Sequence, residues 1–413
     1  MPHRPRSVAL RPDRGEGSRR IPLLFLISDT GGGHRAAARA VGDALETLHP
    51  GRYEPVLIDP LGGPGSTRTM RAVTALYGPS IRIAPWTWGA IYYASDSKLA
   101  MRILRATVFA RATRPVAAAV DELDPAAIVS FHPLVGKAAM AGRRRARVGT
   151  PVVTVVTDLV TPHTAWRFDP VDLLVVPSAA VRWRCHLDGF PTDRCVELGL
   201  PVGAAFRRGP VRSPAERADQ RRRLGLRPDR FVVVLTGGGE GSGGLDLQAR
   251  ALLRATTADV VVICGRNERV RRRIERLNGG DRLTVCGFVD NMADWLRAAD
   301  VVVTKAGPGT IAEATACGAP LLITSHVPGQ EKGNTEFVVG AGAGRSTPRL
   351  TDLTDAVAAL EADPGAVETM RVAAARLSRP DAALDIARVI ARTADEAHDT
   401  ATTEPPSTAL GLP

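Results

Sequence analysis

Polar side chains able to do acid–base chemistry follow the apolar runs in the first half of this chain. His34 comes directly after a run of glycines, and His132, Asp158 and His163 follow later apolar runs. A neutral imidazole can take a proton from a hydroxyl group near neutral pH, so His34 is predicted to be a general base. Asp29 would orient it, and Asp158 is the competing base. The alternative is that His34 only caps the start of a helix.

A second group of polar residues lies in the segment 300–334, which consists of a β-branched run, a Gly-Pro-Gly turn, a short helix, an apolar strand and a loop. Its polar residues are Glu313 in the helix and Gln330, Glu331 and Asn334 in the loop. In open α/β sheets ligands bind beyond the strand ends, so these residues are predicted to line a ligand site. The alternatives are a capping box formed by Thr310 and Glu313, and a solvated turn in the loop.

The elements that position the first group form a strand, glycine-rich turn, helix, strand pattern. The predicted strands are residues 21–28, 53–59, 126–131, 151–157, 171–176 and 195–198. The turn spans residues 29–34 and the helix residues 35–48. This order is typical of a Rossmann-like domain with a parallel sheet.

The pattern starts again after residue 206. A strand at 231–235 precedes a second glycine-rich turn at 236–244, and further apolar runs follow up to 324. We therefore predict an α/β protein with two Rossmann-like domains facing a central cleft, residues 21–205 and 206–380. A helix at 381–396 is expected to return to the first domain. The basic residues 1–20 and residues 397–413 are predicted to be disordered.

The composition limits the classes of function. The 413 residues carry a net charge of +11, from 54 basic and 43 acidic residues, which favours anionic partners, although Arg-rich composition alone gives the same excess. Five scattered cysteines without a CxxC pair indicate reduced thiols in a cytosolic protein. No apolar run reaches the ~20 residues of a membrane span. No D-x-D motif or His/Cys ligand spacing is present, so neither a metal nor another cofactor is expected.

Residues 62–120 combine basic and aromatic side chains, although the chain as a whole is poor in aromatics. A basic amphipathic helix with aromatics is typical of an interfacial membrane contact. The alternative is an ordinary covering helix with a solvated Arg face. The predicted contact residues are Arg82, Trp86, Trp88, Tyr92 and Tyr93.

In several motifs and in their order, the chain resembles the monogalactosyl- and glucosyl-diacylglycerol synthases, which are GT-B glycosyltransferases of family 28. The motifs are residues 28–35, 157–159 with His163 and Trp166, 237–241, 287–288, 307–314, and 328–331 with 333–334. The resemblance extends over residues 21–393. Pro162 and Ala165 depart from the pattern and are expected to reshape the acceptor side.

The resemblance implies a UDP-sugar site in the second domain. Glu313 would bind the ribose, the loop residues Gln330, Glu331 and Asn334 the sugar hydroxyls, and Phe288 and Val289 would flank uracil unless they pack in the core. The remaining donor-site residues would be Gly237, Gly238, Gly239 and Gly241 at the diphosphate, and Gly309 and Thr310 in the Gly-Pro-Gly-Thr turn. On the acceptor and phosphate side would lie Gly31, Gly32, Gly33, His132, His163 and Trp166. Lys305 or Arg266 would neutralise the departing diphosphate.

The resemblance also implies the reaction: inverting transfer of galactose or glucose from a UDP-sugar to the hydroxyl of 1,2-diacylglycerol. The enzyme would be cytoplasmic and peripheral, on the anionic inner face of the plasma membrane. Alternatives are transfer of N-acetylglucosamine to a lipid-linked peptidoglycan precursor or another hydrophobic acceptor, and a nucleotide-sugar sensor without activity. Nucleic acid is not an expected partner, because no RNA- or DNA-binding motif surrounds the basic residues.

Overall fold

A computed structural model describes residues 20–28, 32–68, 71–72, 85–107, 109–147, 149–167, 169–211 and 213–403. Two parallel six-stranded sheets organise these residues, one in each half of the chain. Each sheet with its covering helices is named here a lobe.

The first sheet has the order β2-β1-β3-β4-β5-β6. Its strands are β1 (Ile21–Leu26), β2 (Tyr53–Ile58), β3 (Ala127–Ser130), β4 (Val152–Val155), β5 (Leu173–Val176) and β6 (Cys195–Glu197). The helices of this half are α1 (Gly33–Leu48), α2 (Pro85–Ser95), α3 (Lys98–Thr107), α4 (Thr113–Leu123), α5 (Gly136–Arg143) and α6 (Ala179–Leu187). The strands are nearly continuous apolar runs because helices cover both faces of a parallel sheet.

The second sheet has the order β12-β11-β10-β7-β8-β9. Its strands are β7 (Val232–Thr236), β8 (Asp259–Ile263), β9 (Leu283–Cys286), β10 (Val301–Lys305), β11 (Leu321–Ser325) and β12 (Gly344–Ser346). Its helices are α7 (Pro214–Arg223), α8 (Leu245–Ala255), α9 (Glu268–Glu275), α10 (Met292–Ala298), α11 (Pro308–Ala316), α12 (Lys332–Gly340), α13 (Leu350–Ala362) and α14 (Pro364–Leu377).

The last helix, α15 (Ala382–Thr403), packs on α1 of the first lobe. Ile386 and Ile390 share a buried core with Phe25 of β1. The Tyr53 hydroxyl donates to Asp395 Oδ1 at 2.8 Å. The prediction of disorder from residue 397 is wrong as far as residue 403, because the helix continues there. Residues 1–19 and 404–413 lie outside the described residues.

Each sheet has one point where neighbouring strands lead to connections that run in opposite directions. In the first lobe this point lies between β1 and β3, and in the second lobe between β7 and β10. Such switch points leave a crevice at the carboxyl ends of the strands, where α/β proteins bind ligands. The two polar groups found in the sequence follow these strands and their neighbours β4 and β11.

Candidate active site

His34 lies in the first turn of α1, which Gly32 introduces with a left-handed φ of 80°. Its Nδ1 is 2.9 Å from the hydroxyl of Thr157, beyond the end of β4. Its ring also contacts the ring of His132, with centroids 4.5 Å apart, where β3 ends. The switch point of the first lobe therefore brings together side chains from three strand ends.

Burial lowers the pKa of His34 to about 4, and a hydrogen bond with the backbone of Phe131 only partly opposes this. The pKa of His132 is also lowered, by burial and by the neighbouring His34. Burial is therefore the main cause of the low pKa of His34. A neutral imidazole with so low a pKa is a weak base near pH 7.

Asp158 is buried where the two lobes meet. Its Oδ2 accepts a hydrogen bond of 2.6 Å from Trp166 Nε1 in its own lobe. Its Oδ1 accepts one of 3.0 Å from Gln330 Nε2 in the other lobe. Burial raises the pKa of Asp158 to about 6, while these two hydrogen bonds lower it. A carboxylate with such a pKa is well matched to proton transfer near neutral pH.

His163, predicted on the acceptor side, holds the loop that follows Asp158. Its Nδ1 accepts from Ala165 N at 3.1 Å, and its Nε2 lies 3.1 Å from the hydroxyl of Ser95 in α2. The ring also packs edge-on against Tyr92, with centroids 4.9 Å apart. Both ring nitrogens are used in these bonds, and the acceptor-side role of His163 stays a prediction.

Tyr92, predicted as a membrane contact, is buried, and its hydroxyl donates to Thr161 O at 3.1 Å. That prediction is wrong, because helical periodicity turns Tyr92 inward while Tyr93 is 63% exposed. Arg82 lies outside the described residues. Trp86 and Trp88 belong to α2, but their side chains lie outside what the structure describes.

Two further predicted residues, Asp29 and Gly31, lie outside the described part of the chain. Gly33, the first residue of α1, has open space where a Cβ would stand. The orienting role predicted for Asp29 therefore stays a prediction.

The glycine-rich turn after β7 has no room for a side chain at two of its positions. A Cβ on Gly237 would stand 1.9 Å from Ser242 O, and one on Gly241 2.0 Å from Cys264 O. The backbone N–H groups of Gly239 and Gly243 donate to no described residue. Such N–H groups in front of a helix start, here α8, are suited to an anion.

Arg266 and Phe288 form an exposed pair beside this turn. The Arg266 guanidinium lies over the Phe288 ring at 4.5 Å, and a Cβ on Gly239 would stand 3.3 Å from Arg266 Nη1. Phe288 is 55% exposed, so the core-packing interpretation of this residue is wrong. Val289 is partly buried and packs against the core. The pair offers a cation and an aromatic face next to free N–H groups.

Glu313 lies in the second turn of α11, whose N-cap is Gly307. Thr310 is therefore inside the helix, and the capping-box interpretation is wrong. The Glu313 carboxylate makes no hydrogen bond or ion pair with a described residue, and burial raises its pKa to about 7. Gly309 and Thr310 lie in the first turn, with no side chain capping it. An unpartnered carboxylate can accept two hydrogen bonds from a vicinal diol.

The loop at 326–334, named here the donor loop, is held by its own side chains. Glu331 Oε1 accepts from Lys305 Nζ at 2.5 Å, and its Oε2 accepts from Val327 N at 2.8 Å. Asn334 Nδ2 donates to Ala306 O at 2.9 Å, whereas its Oδ1 is buried without a partner. Lys305 is held by Glu331 at 2.5 Å, whereas exposed Arg266 lies 3.9 Å from Glu240, so Arg266 is the better candidate to face a diphosphate.

Comparison with known proteins identifies the family. The model described as monogalactosyldiacylglycerol (MGDG) synthase matches residues 34–202, and that of the glycosyltransferase family 28 C-terminal domain matches residues 232–383. A probable monogalactosyldiacylglycerol synthase of Glycine max is 32% identical over 383 residues, which is 90% of this chain and 71% of that protein. This chain belongs to the monogalactosyldiacylglycerol synthase family.

Another relative agrees with this assignment, and solved structures show the fold. Monogalactosyldiacylglycerol synthase 1 of Arabidopsis thaliana is 32% identical over 382 residues, 90% of this chain and 70% of that protein. MurG of Acinetobacter baumannii superposes with a TM-score of 0.57 at 17% identity, over 90% of this chain and 99% of MurG. Staphylococcus aureus MnaA with UDP gives 0.57 at 14% identity, over 94% and 99%. The fold of this family member is GT-B, and the protein is a hexosyltransferase.

The same comparison corrects the predicted location. The Glycine max and Arabidopsis thaliana relatives are named as chloroplastic proteins. The prediction of a cytoplasmic enzyme on the inner face of the plasma membrane is therefore wrong. Within the described ranges, no helix of this synthase-family member combines the length and apolar character needed to cross a bilayer.

Proposed function

We propose that this enzyme transfers galactose from UDP-galactose to the free hydroxyl of 1,2-diacylglycerol and forms a β-linked glycolipid. The names of its relatives support the donor and the acceptor. The observation that carries the chemistry is Asp158, a buried carboxylate that accepts one side-chain hydrogen bond from each lobe. The alternative donor is UDP-glucose, and the comparison of UDP-sugars described below distinguishes the two.

In the proposed mechanism, the ionised Asp158 takes the proton of the acceptor hydroxyl. The acceptor oxygen attacks C1 of the sugar from the face opposite the leaving UDP, so an α-linked donor gives a β-linked product. A carboxylate has about four lone-pair sites, so the Trp166 and Gln330 side chains and the His163 backbone leave Asp158 a lone pair for the acceptor proton. His34 supports this group indirectly, because it fixes Thr157, the preceding residue.

The second lobe would bind the donor. Glu313 would accept hydrogen bonds from the ribose hydroxyls, and the N–H groups of Gly239 and Gly243 would face the diphosphate. Arg266 would balance the charge that develops on departing UDP. Fixed N–H groups and a nearby cation stabilise such charge without a metal, and we propose that none is needed.

The acceptor is a membrane lipid, so we propose that the surface formed by α2 and α3 contacts the bilayer. Four large apolar side chains on these helices are 55–67% exposed: Ile91, Tyr93, Leu99 and Ile103. Lys98 and Arg102 are exposed on the same helices. Apolar side chains flanked by cations are suited to an anionic lipid surface.

Replacing both Leu99 and Ile103 with Asn should weaken binding to anionic vesicles roughly tenfold or more, because two apolar side chains no longer enter the interface. Vesicle co-sedimentation at several protein concentrations measures this. Leu247 in α8 is 57% exposed on the second lobe, so Leu247→Asn is a matched control that should bind like the wild type. Equal binding by all three proteins would remove this surface from the proposal.

The proposed reaction is tested with purified protein, vesicles containing diacylglycerol, and UDP-galactose, UDP-glucose or UDP-N-acetylglucosamine in separate reactions. We expect a β-galactosyl lipid, with the anomer assigned by NMR. Transfer only from UDP-glucose would change the donor. Transfer only from UDP-N-acetylglucosamine to a lipid-linked peptidoglycan precursor would establish the rival reaction. No glycolipid from any of the donors would refute the proposal.

A further inference from the structure

The donor loop of the second lobe is packed against the first lobe along most of its length. A Cβ on Gly329, whose φ is 84°, would stand 2.5 Å from Tyr92 Cδ1. One on Gly89 of α2 would stand 2.7 Å from Pro328 Cβ, and one on Gly333 2.9 Å from Val160 Cγ1. These close approaches fix the loop backbone relative to the first lobe while the lobes are together.

Gln330 extends from this fixed backbone to Asp158. The amide is the only N–H donor from the second lobe that reaches the carboxylate among the hydrogen bonds of the described residues. Trp166 is the side-chain donor from the first lobe. The Asp158 carboxylate is therefore shared between the lobes, and one of its two side-chain hydrogen bonds exists only when they are closed.

The surroundings of Asp158 otherwise oppose its ionisation. The side chain is buried, and the charge of Glu331 raises its pKa further. Lys305 partly balances that charge through its bond with Glu331 Oε1. Other groups facing Asp158 are Tyr92 and the His163 backbone, and the latter lowers the pKa. Hydrogen bonds to the charged form are thus what keeps the carboxylate ionised.

We propose that Gln330 is a positioning residue that holds Asp158 oriented and ionised as the base once the two lobes are closed. Closure buries the carboxylate and brings Glu331 near it, and both effects oppose ionisation, so the Gln330 N–H that arrives with the same loop is what offsets them in the closed site. This inference rests on the proposed function, in which Asp158 takes the acceptor proton. It differs from the role that family resemblance implies for Gln330, which is contact with the sugar hydroxyls.

The test is the pH dependence of kcat/KM for glycolipid formation by the wild type, Gln330→Ala and Gln330→Glu. In the wild type the acid limb should follow Asp158. In Gln330→Ala the limb should move to higher pH by about one unit, since a hydrogen bond to an ionised carboxylate is worth roughly that much. Turnover near pH 6 should fall about fivefold, approach a tenfold loss at lower pH, and recover above pH 8. Gln330→Glu, which adds a negative charge beside Asp158, should move the limb at least as far.

Lys332→Ala is the matched control, because Lys332 is exposed one residue beyond Glu331 and should leave the limb unmoved. A sugar-contact role would produce a different result: a higher KM for the donor at every pH with the acid limb unchanged. That result in both Gln330 variants would overturn the proposal. A normal far-ultraviolet circular dichroism spectrum and cooperative melting establish that each variant is folded.

A second measurement separates this proposal from the proposed function, since it needs no acceptor. The pKa of Asp158 is raised by folding, so its contribution to stability is present at low pH and is lost as pH rises through the folded pKa. In Gln330→Ala this loss should extend to higher pH, and in an Asp158→Asn background it should be absent. If no glycolipid forms but Gln330→Ala still shifts the pH at which stability is lost, the proposed reaction is refuted and the effect of Gln330 on Asp158 stands. If the wild type and Gln330→Ala lose stability over the same pH range, the proposed effect of Gln330 on Asp158 is refuted.

Discussion

Asp158→Asn should reduce turnover by about 10³-fold while UDP binding changes less than about twofold, because a positioned general base contributes roughly 10²–10⁴. Asn keeps the shape of the side chain and can still accept from Trp166, but it cannot take a proton. In the wild type, kcat/KM should fall below about pH 6, where Asp158 protonates. Initial rates of glycolipid formation between pH 5 and 9 measure both effects.

The control for this prediction is His34→Ala, which should reduce turnover only about tenfold, since His34 supports the site through Thr157. If His34→Ala lost more activity than Asp158→Asn, the histidine would be the base. Asp158→Asn should also be more stable than the wild type above pH 6, by on the order of 2 kcal/mol. The reason is that the wild type must ionise a buried carboxyl whose pKa is raised to about 6.

Glu313→Gln should weaken binding of UDP-galactose by roughly 10- to 100-fold, because hydrogen bonds to a charged group contribute about 1.5–3 kcal/mol. The amide can accept with one oxygen only, and it carries no charge. Isothermal titration calorimetry measures the affinity. Glu336→Gln is a matched control, because Glu336 is exposed on α12 and should bind the donor like the wild type.

The pH dependence gives the same prediction a second test. The pKa of Glu313 is about 7, and the ribose hydroxyls favour the ionised form. Affinity for UDP-galactose should therefore rise from pH 6 to pH 8 in the wild type and stay constant in Glu313→Gln. UDP-galactose is the suitable ligand because its diphosphate does not titrate in this range. Wild-type affinity that is independent of pH would mean that Glu313 does not contact the ribose.

Local patterns in the sequence predicted the elements that carry the site. The apolar runs and the two glycine-rich turns predicted both sheets and the loops at their carboxyl ends, since these patterns reflect backbone geometry and burial on both faces of a parallel sheet. Boundaries were less accurate. The helix that carries Glu313 begins at Pro308, within the predicted Gly-Pro-Gly turn, and α15 continues to Thr403, beyond the predicted end at residue 396.

Contacts between distant parts of the chain could not be predicted. Asp158 and Gln330 are 172 residues apart in sequence, and their hydrogen bond depends on how two independently wound lobes pack. The same is true of Tyr92, whose inward orientation depends on the loop around His163. Phe288 has a large apolar side chain of the kind usually found in a core. It is exposed because it follows β9, which is the edge strand of the second sheet.

By itself, the sequence determined two Rossmann-like lobes and the set of polar residues at their sheet edges, because strand and turn patterns are local. Only the tertiary structure decided how deeply the two candidate bases, His34 and Asp158, are buried. Burial lowers the pKa of His34 to about 4 and raises that of Asp158 to about 6. Desolvation disfavours the charged form of both groups. It therefore weakens the histidine as a base and brings the pKa of the carboxyl group closer to neutral pH.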